Sequence, residues 1–140
     1  MNNKKNIKKY FKHKTNIENY SDGFTKSMSG INFNFRKRKK IVTKFCDFSA
    51  HSILDIGPGT GEITQSVVKK NNASHLTLID VSEEMLRITT ERILSTSGDL
   101  EIESICKDIE SIRLEENKFD LVLCIGLIAY VDNLDNFLNE

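Results

Sequence analysis

From Ser52 onward the apolar residues fall into short runs separated by amphipathic stretches, and each run has the length and branched-chain content of a strand. Ile53, Leu54 and Ile56 form the first run, and His75 to Asp80 the second. Leu100 to Cys106 alternates apolar Leu100 and Ile102 with charged Glu101 and Glu103, the pattern of a sheet edge. Phe119 to Ile125 is almost continuously apolar, which predicts a central parallel strand covered on both faces. The intervening stretches have helical periodicity: Ile63 with Val67, then Met85, Leu86, Thr89 and Ile93 behind a Ser82 cap, then Leu134, Phe137 and Leu138 after Asp132-Asn133. Strands alternating with helices at this spacing predict βαβ units, a parallel sheet and right-handed crossovers.

The first 50 residues follow another pattern. Met1 to about Asn6 is polar and reads as disordered. Ile7 to Tyr20 predicts a short helix with Tyr10, Phe11, Ile17 and Tyr20 near one side. Turns follow at Ser21-Asp22-Gly23 and Ser29-Gly30. A second helix runs from roughly Ile31 to Phe48, with Phe35, Arg38, Val42 and Phe45 sharing a face and Arg36, Lys37, Lys39, Lys40 and Lys44 largely on the others.

The stretch that organises the rest is Gly57-Pro58-Gly59-Thr60-Gly61, which stops the first strand abruptly and opens a helix. Thr60 is placed to cap that helix, and Glu62 suits the positive end of its dipole. A side chain at Gly57, Gly59 or Gly61 would keep a ligand from the backbone N–H groups at the helix start. The turn runs G-x-G-x-G, and Glu62 stands where the dinucleotide fingerprint G-x-G-x-x-G needs its last glycine. A carboxylate there disfavours a pyrophosphate.

Length and composition narrow the picture. At 140 residues with 39% apolar content the chain is sized for one core. No run approaches the roughly 18 apolar residues of a membrane span, and no apolar segment follows the Lys/Asn-rich start, so the expectation is a soluble, cytoplasmic protein. Cys46, Cys106 and Cys124 lack a C-x-x-C pairing and read as reduced, buried thiols. His13, His51 and His75 have no metal-ligand spacing, so no metal is expected.

The formal net charge of zero conceals a division. Residues 1–50 hold 13 Lys and Arg against three Asp and Glu, while the other 90 hold 7 against 17. The basic part suits an anionic partner, nucleic acid included, or a solvated face packed beside an acidic domain. Its aromatics form no RNA-binding signature, which favours the solvated face.

In a parallel sheet of this kind ligands bind beyond the carboxyl ends of the strands. Four features converge there: the glycine turn after the first strand, Asp80 after the second, Asp108 after the third, and Cys124 to Tyr130 after the fourth. Asp80 is placed to accept from ribose hydroxyls and Asp108 from an exocyclic amine.

With these residues in place the sequence resembles the class I S-adenosylmethionine-dependent methyltransferases. Ile53 to Gly61 is similar to their first motif, Leu78 to Leu86 to the ribose-binding acidic loop, Lys107-Asp108-Ile109 to the adenine-binding stretch, and Phe119 to Cys124 to the fourth-strand motif. The resemblance implies a Rossmann-like, doubly wound α/β sheet with strand order 3-2-1-4, four strands of the family's seven, behind an N-terminal helical extension. It divides the chain into a basic lid over residues 1–50 and a cofactor-binding domain over 51–140.

It also implies roles. Asp55 orders the turn, Gly57, Gly59 and Gly61 let the backbone approach the cofactor, and Asp80 binds the ribose. Val81 and Met85 line the adenine, Asp108 and Ile109 bind it, and Cys124 and Ile125 border the methionine end. Tyr10 and Tyr20 resemble lid aromatics, and Tyr130 and Asp132 are the places to look for a general base.

The implied activity is methyl transfer from S-adenosylmethionine to a small-molecule acceptor. An RNA-modifying enzyme using Lys37 to Lys40 and a non-catalytic cofactor-binding module are the alternatives. Four strands in place of seven leave the fourth uncovered, so the expectation is a fragment, or a half-domain completed by a second copy or a partner chain.

Overall fold

A computed structural model describes Tyr10, residues 30–46 and residues 48–139. The expected helix over Ile7 to Tyr20 lies, apart from helical Tyr10, outside the described residues. The elements are α1 (Gly30–Phe45), β1 (Ser52–Ile56), α2 (Glu62–Asn71), β2 (His75–Asp80), α3 (Glu83–Leu94), β3 (Glu101–Cys106), β4 (Leu121–Cys124) and α4 (Leu134–Leu138), with single 3-10 turns at Ile109–Ser111 and Ile128–Tyr130. The four strands form one parallel sheet in the order β3-β2-β1-β4. With helices against it, this is the Rossmann-like arrangement.

Alternation along the strands assigns side chains to two faces. Ile53, Leu76, Leu78 and Leu123 point to the face covered by α1, α2 and α3, where they meet Val67, Val68, Leu86, Ile93 and Cys46. Leu54, Ile56 and Ile79 point to the other, where Ile109, Ile112, Leu114, Phe119, Leu127 and Phe137 pack. The ends of the central helices follow local rules. Asn72 terminates α2 in the left-handed conformation, and the Ser82 hydroxyl accepts from Met85 N–H to start α3.

Four expectations need correction. Thr60 does not cap α2, because Gly61 occupies the cap position at φ 76° and no side-chain cap bond forms. Phe45 is 79% exposed, and α1 ends there rather than at Phe48. Its inward face reads instead Phe35, Val42 and Cys46, with Lys39 half-buried. β4 is shorter than Phe119 to Ile125 and is not covered on both faces, Val122 being 52% exposed, while its place at the edge is the one the order 3-2-1-4 implies. Of the three thiols, Cys46 is buried, Cys124 partly buried, and Cys106 exposed on the edge strand β3.

Candidate functional site

β1 and β2 end side by side, Ile56 opposite Ile79 in the register. Beyond them Gly57 N–H donates to Ile79 O at 2.8 Å, continuing the ladder by one bond before the chain turns away. The turn is held from α3: Thr89 Oγ1 donates to Gly59 O at 2.8 Å, and Arg92 Nε to Thr60 O at 2.6 Å. A Cβ on Gly61 would stand 2.7 Å from Thr89 Cγ2 and 3.2 Å from Thr89 Cα. Gly61 is therefore required by helix packing and by its positive φ.

Two cavities flank this turn. The larger, about 390 Å³, runs over the carboxyl ends of the strands between Asp80, Val81 and Met85 on one side and Asp108, Ile109 and Glu110 on another, with Leu127, Tyr130 and Val131 beyond β4. The smaller, about 70 Å³, lies between Asp55, the turn from Gly57 to Thr60, Glu62 and Phe35. Arg38, Gly57, Gly59 and Ile125 border both.

The carboxylates are set by burial. Asp55 is 2% exposed and accepts from Thr64 Oγ1 at 2.6 Å. Burial pushes its carboxyl up to about 7; the Thr64 bond opposes this rise and the charge of Asp80 adds to it. Burial likewise raises Asp80 to about 6, against backbone hydrogen bonds from Ser82 and Val81. Ser82 N–H donates to Asp80 Oδ1 at 2.9 Å, which fixes the carboxylate at the cavity wall. Asp108 accepts from Glu110 N–H at 3.2 Å, capping the 3-10 turn that presents Ile109. Burial, then the charge of Asp55, raises the Cys124 thiol.

Of the residues singled out from the sequence, Gly57, Gly59, Asp80, Val81, Met85, Asp108, Ile109, Ile125 and Tyr130 line the larger cavity. Asp55 lines the smaller one. Gly61, Cys124 and Asp132 line neither. Tyr10 is half-exposed and does not reach the lining, and Tyr20 lies outside the described residues.

The family model for a methyltransferase domain matches residues 53–140, from β1 to the last residue. The chain belongs to the methyltransferase-domain family. Among curated relatives of this methyltransferase domain, the malonyl-[acyl-carrier protein] O-methyltransferase of Bacillus cereus is 30% identical over 97 residues, 69% of this chain and 34% of that protein. The enzyme of the same name from Priestia megaterium is 29% identical over 141 residues, 100% of this chain and 47% of its own length. The chain thus spans between a third and a half of these relatives. Among solved structures, the N-methyltransferase NodS from Bradyrhizobium japonicum WM9, in complex with S-adenosyl-L-homocysteine, superposes with a TM-score of 0.69. It is 16% identical, and the match covers 98% of this chain and 63% of that one, a likeness of fold.

Sequence reasoning missed Arg38 as a site residue of the methyltransferase domain. It was visible as the one cation on the apolar face of α1, and the structure brings it to the rim of both cavities. No local signal marks Thr89 and Arg92, because their partners lie 30 and 32 residues away. Among the described residues no helix is long and apolar enough to cross a membrane, and no cluster of three metal-ligating side chains occurs.

Proposed function

We propose that the methyltransferase domain binds S-adenosylmethionine across the two cavities and that the protein transfers the cofactor's methyl group to a small-molecule acceptor. The observation that carries this reading is the single cavity that joins Asp80, the glycine turn and Asp108. Its volume falls in the roughly 300–1,000 Å³ range of small-molecule sites. The residues suit the group chemically. Asp80 can accept from both ribose hydroxyls, Val81 and Met85 give an apolar wall for adenine, and Asp108 with the Ile109 backbone can read its edge.

Gly57 and Gly59 let the middle of the ligand lie against the chain, with Cys124 and Ile125 toward its methionine end. Asp55 and Glu62 in the smaller cavity suit an ammonium. Arg38, which no described carboxylate pairs, suits a carboxylate.

When bound, the cofactor supplies a methyl group already activated on a sulfonium. The protein's share is to hold the acceptor in line and exclude water, a proximity effect of roughly 7–11 kcal/mol at its limit. Where the acceptor must lose a proton, Tyr130 on the cavity wall is the placed candidate; Asp132 stands outside the lining. The division into a lid over residues 1–50 and a cofactor domain over 51–140 is supported by Arg38 reaching the cavities from α1. α1 nevertheless shares a core with the domain through Val42 and Cys46.

Nucleic acid as acceptor is the second reading. It is favoured by a shallow trough between α1 and α2 in which Arg36, Lys39, Lys40, Lys44 and Lys70 gather. Affinity for RNA falling steeply with salt would support it.

Calorimetry of the 140-residue chain with S-adenosylmethionine and S-adenosylhomocysteine, beside Asp80→Asn, tests the first reading. Saturable one-site binding weakened at least about tenfold in the variant is the expected result. A folded, monodisperse chain that binds neither compound sinks it.

A further inference from the structure

The far wall of the larger cavity is the segment after β4, and its attachment is uneven. Leu127 at its start and Phe137 near its end pack into the apolar cluster under the sheet with Ile109 and Ile112. Between these anchors the chain is exposed: Ile128 is 51% and Tyr130 46% accessible, and Leu134 is also exposed. Yet this middle portion contributes Tyr130 and Val131 to the cavity. What ties it back is a carboxylate on the opposite bank. Glu110 Oε1 accepts from Asn133 N–H at 2.8 Å, and Glu110 Oε2 accepts from Asp132 N–H at 3.2 Å. The two oxygens bridge 22 and 23 residues of chain.

Glu110 is itself held in place. Its backbone N–H donates to Asp108 Oδ1, and Ser111 N–H and Oγ both donate to Asp108 O. One 3-10 turn therefore carries a cavity-lining carboxylate, Asp108, and the carboxylate that fastens the facing segment. A neutral acceptor would make two modest bonds to those amides. A carboxylate makes charge-assisted ones to Asp132 and Asn133 N–H, the residues that lead into α4.

We propose that Glu110 is a positioning residue, a clasp that holds the Tyr130–Val131 wall across the cavity and so sets how fast a nucleoside-bearing ligand leaves. This rests on the proposed binding of S-adenosylmethionine. Segments of this kind commonly govern release rather than chemistry. Because the wall closes on the part of the cavity lined by Asp108 and Ile109, the clasp acts on the nucleoside portion of the ligand. Its loss affects S-adenosylhomocysteine and 5′-methylthioadenosine, which lacks the amino-acid end, by the same factor.

The test is the dissociation rate of both compounds from the full chain by stopped flow, for the wild type, Glu110→Ala and Glu110→Gln. Amide hydrogen exchange of the ligand-free proteins accompanies it. Glu110→Ala is expected to release both compounds roughly five- to tenfold faster, the equivalent of two exposed hydrogen bonds. Glu110→Gln, which keeps one acceptor oxygen, falls between. In the free protein Asp132 and Asn133 amides exchange faster in Glu110→Ala, while those of β1 and β2 do not change.

Unchanged release in a variant whose amides are unchanged overturns the clasp. So does faster release accompanied by faster exchange across β1 and β2, because that is general loosening. A wild-type chain that binds neither compound overturns the cofactor reading, and exchange at Asp132 and Asn133 still decides whether Glu110 fastens the segment.

Discussion

The β1–β2 side of the sheet and the β4 side are built to different standards. Every position from Ile53 to Ile56 and from Leu76 to Ile79 is buried, and the turn beyond them is braced by Thr89 and Arg92. On β4 only Leu123 is buried, Val122 faces solvent, and α4 beyond it buries no residue. Asp80, proposed to bind the ribose, thus stands at the end of a fully packed strand. The wall facing the proposed nucleoside end hangs on two apolar anchors and a polar clasp. Rigidity thus falls on the strands that carry the proposed recognition, and looseness on the segment through which the proposed ligand would enter and leave.

The contrast predicts a graded response. Leu78→Ala, in the fully buried strand, should cost about 2–5 kcal/mol in chemical denaturation, whereas Val122→Ala should cost less than about 0.5 kcal/mol. Equal losses would erase the distinction between the two sides. Gly61→Ala should be nearly as damaging as the core truncation, about 2–4 kcal/mol, because it combines positive φ with a collision at Thr89. Adding Thr89→Ser removes the struck methyl and keeps the hydroxyl to Gly59, so the double variant should recover part of the loss. No recovery would mean that backbone conformation alone demands the glycine.

A smaller effect is expected from pH. Asp55 is raised in the folded state from 3.8 to about 7, so the fold favours its protonated form, and stability declines as pH climbs from about 4 through 7. Between pH 6 and pH 8 this should lower the stability of the free protein by about 1 kcal/mol, and Asp55→Asn should flatten the profile. A wild-type profile that rises over this interval contradicts the assignment. In the opposite direction, ligand affinity should fall as pH drops below about 6, where Asp80 takes up a proton and can no longer accept from two hydroxyls.

The order of elements, the glycine turn and the carboxylates at the strand ends were legible in the sequence because each is written locally. A run of branched residues, a G-x-G-x-G turn or a serine before Glu83 and Glu84 needs no distant partner to be read. Arg38 was harder: its helix was legible, but its reach into the cavities depends on how α1 lies across α2. The inward face of α1 was misassigned at Phe45 because helical spacing of about 100° per residue puts Phe45 roughly 80° round the axis from Phe35, whereas Cys46 returns to within roughly 20°. Glu110 left no trace and Thr89 was legible only as an inward position of its helix, since an ordinary Glu and Thr acquire their roles from amides and carbonyls far along the chain. Val122 shows pattern and topology pulling apart: its continuous apolar run implies cover on both faces, the order 3-2-1-4 leaves β4 uncovered at an edge, and the exposed Val122 follows the topology.

Asp120 has a consequence for the order of assembly. Its Oδ2 accepts from His51 and Ser52 N–H at 2.8 and 2.9 Å, stitching the entrance of β4 to that of β1 across 69 and 68 residues. The equivalent stitch between β1 and β2, from Ser74 Oγ to His51 O, spans only 23. Closing the longer loop costs about 1 kcal/mol more in chain entropy, before any contact made there can repay it. β1, α2 and β2 are therefore expected to dock first during refolding and β4 to arrive last. Pulse-labelled amides would then be protected in Leu76 to Ile79 before Leu121 to Cys124. The part of the larger cavity between the glycine turn and Leu127 is therefore expected to form only with that final stitch.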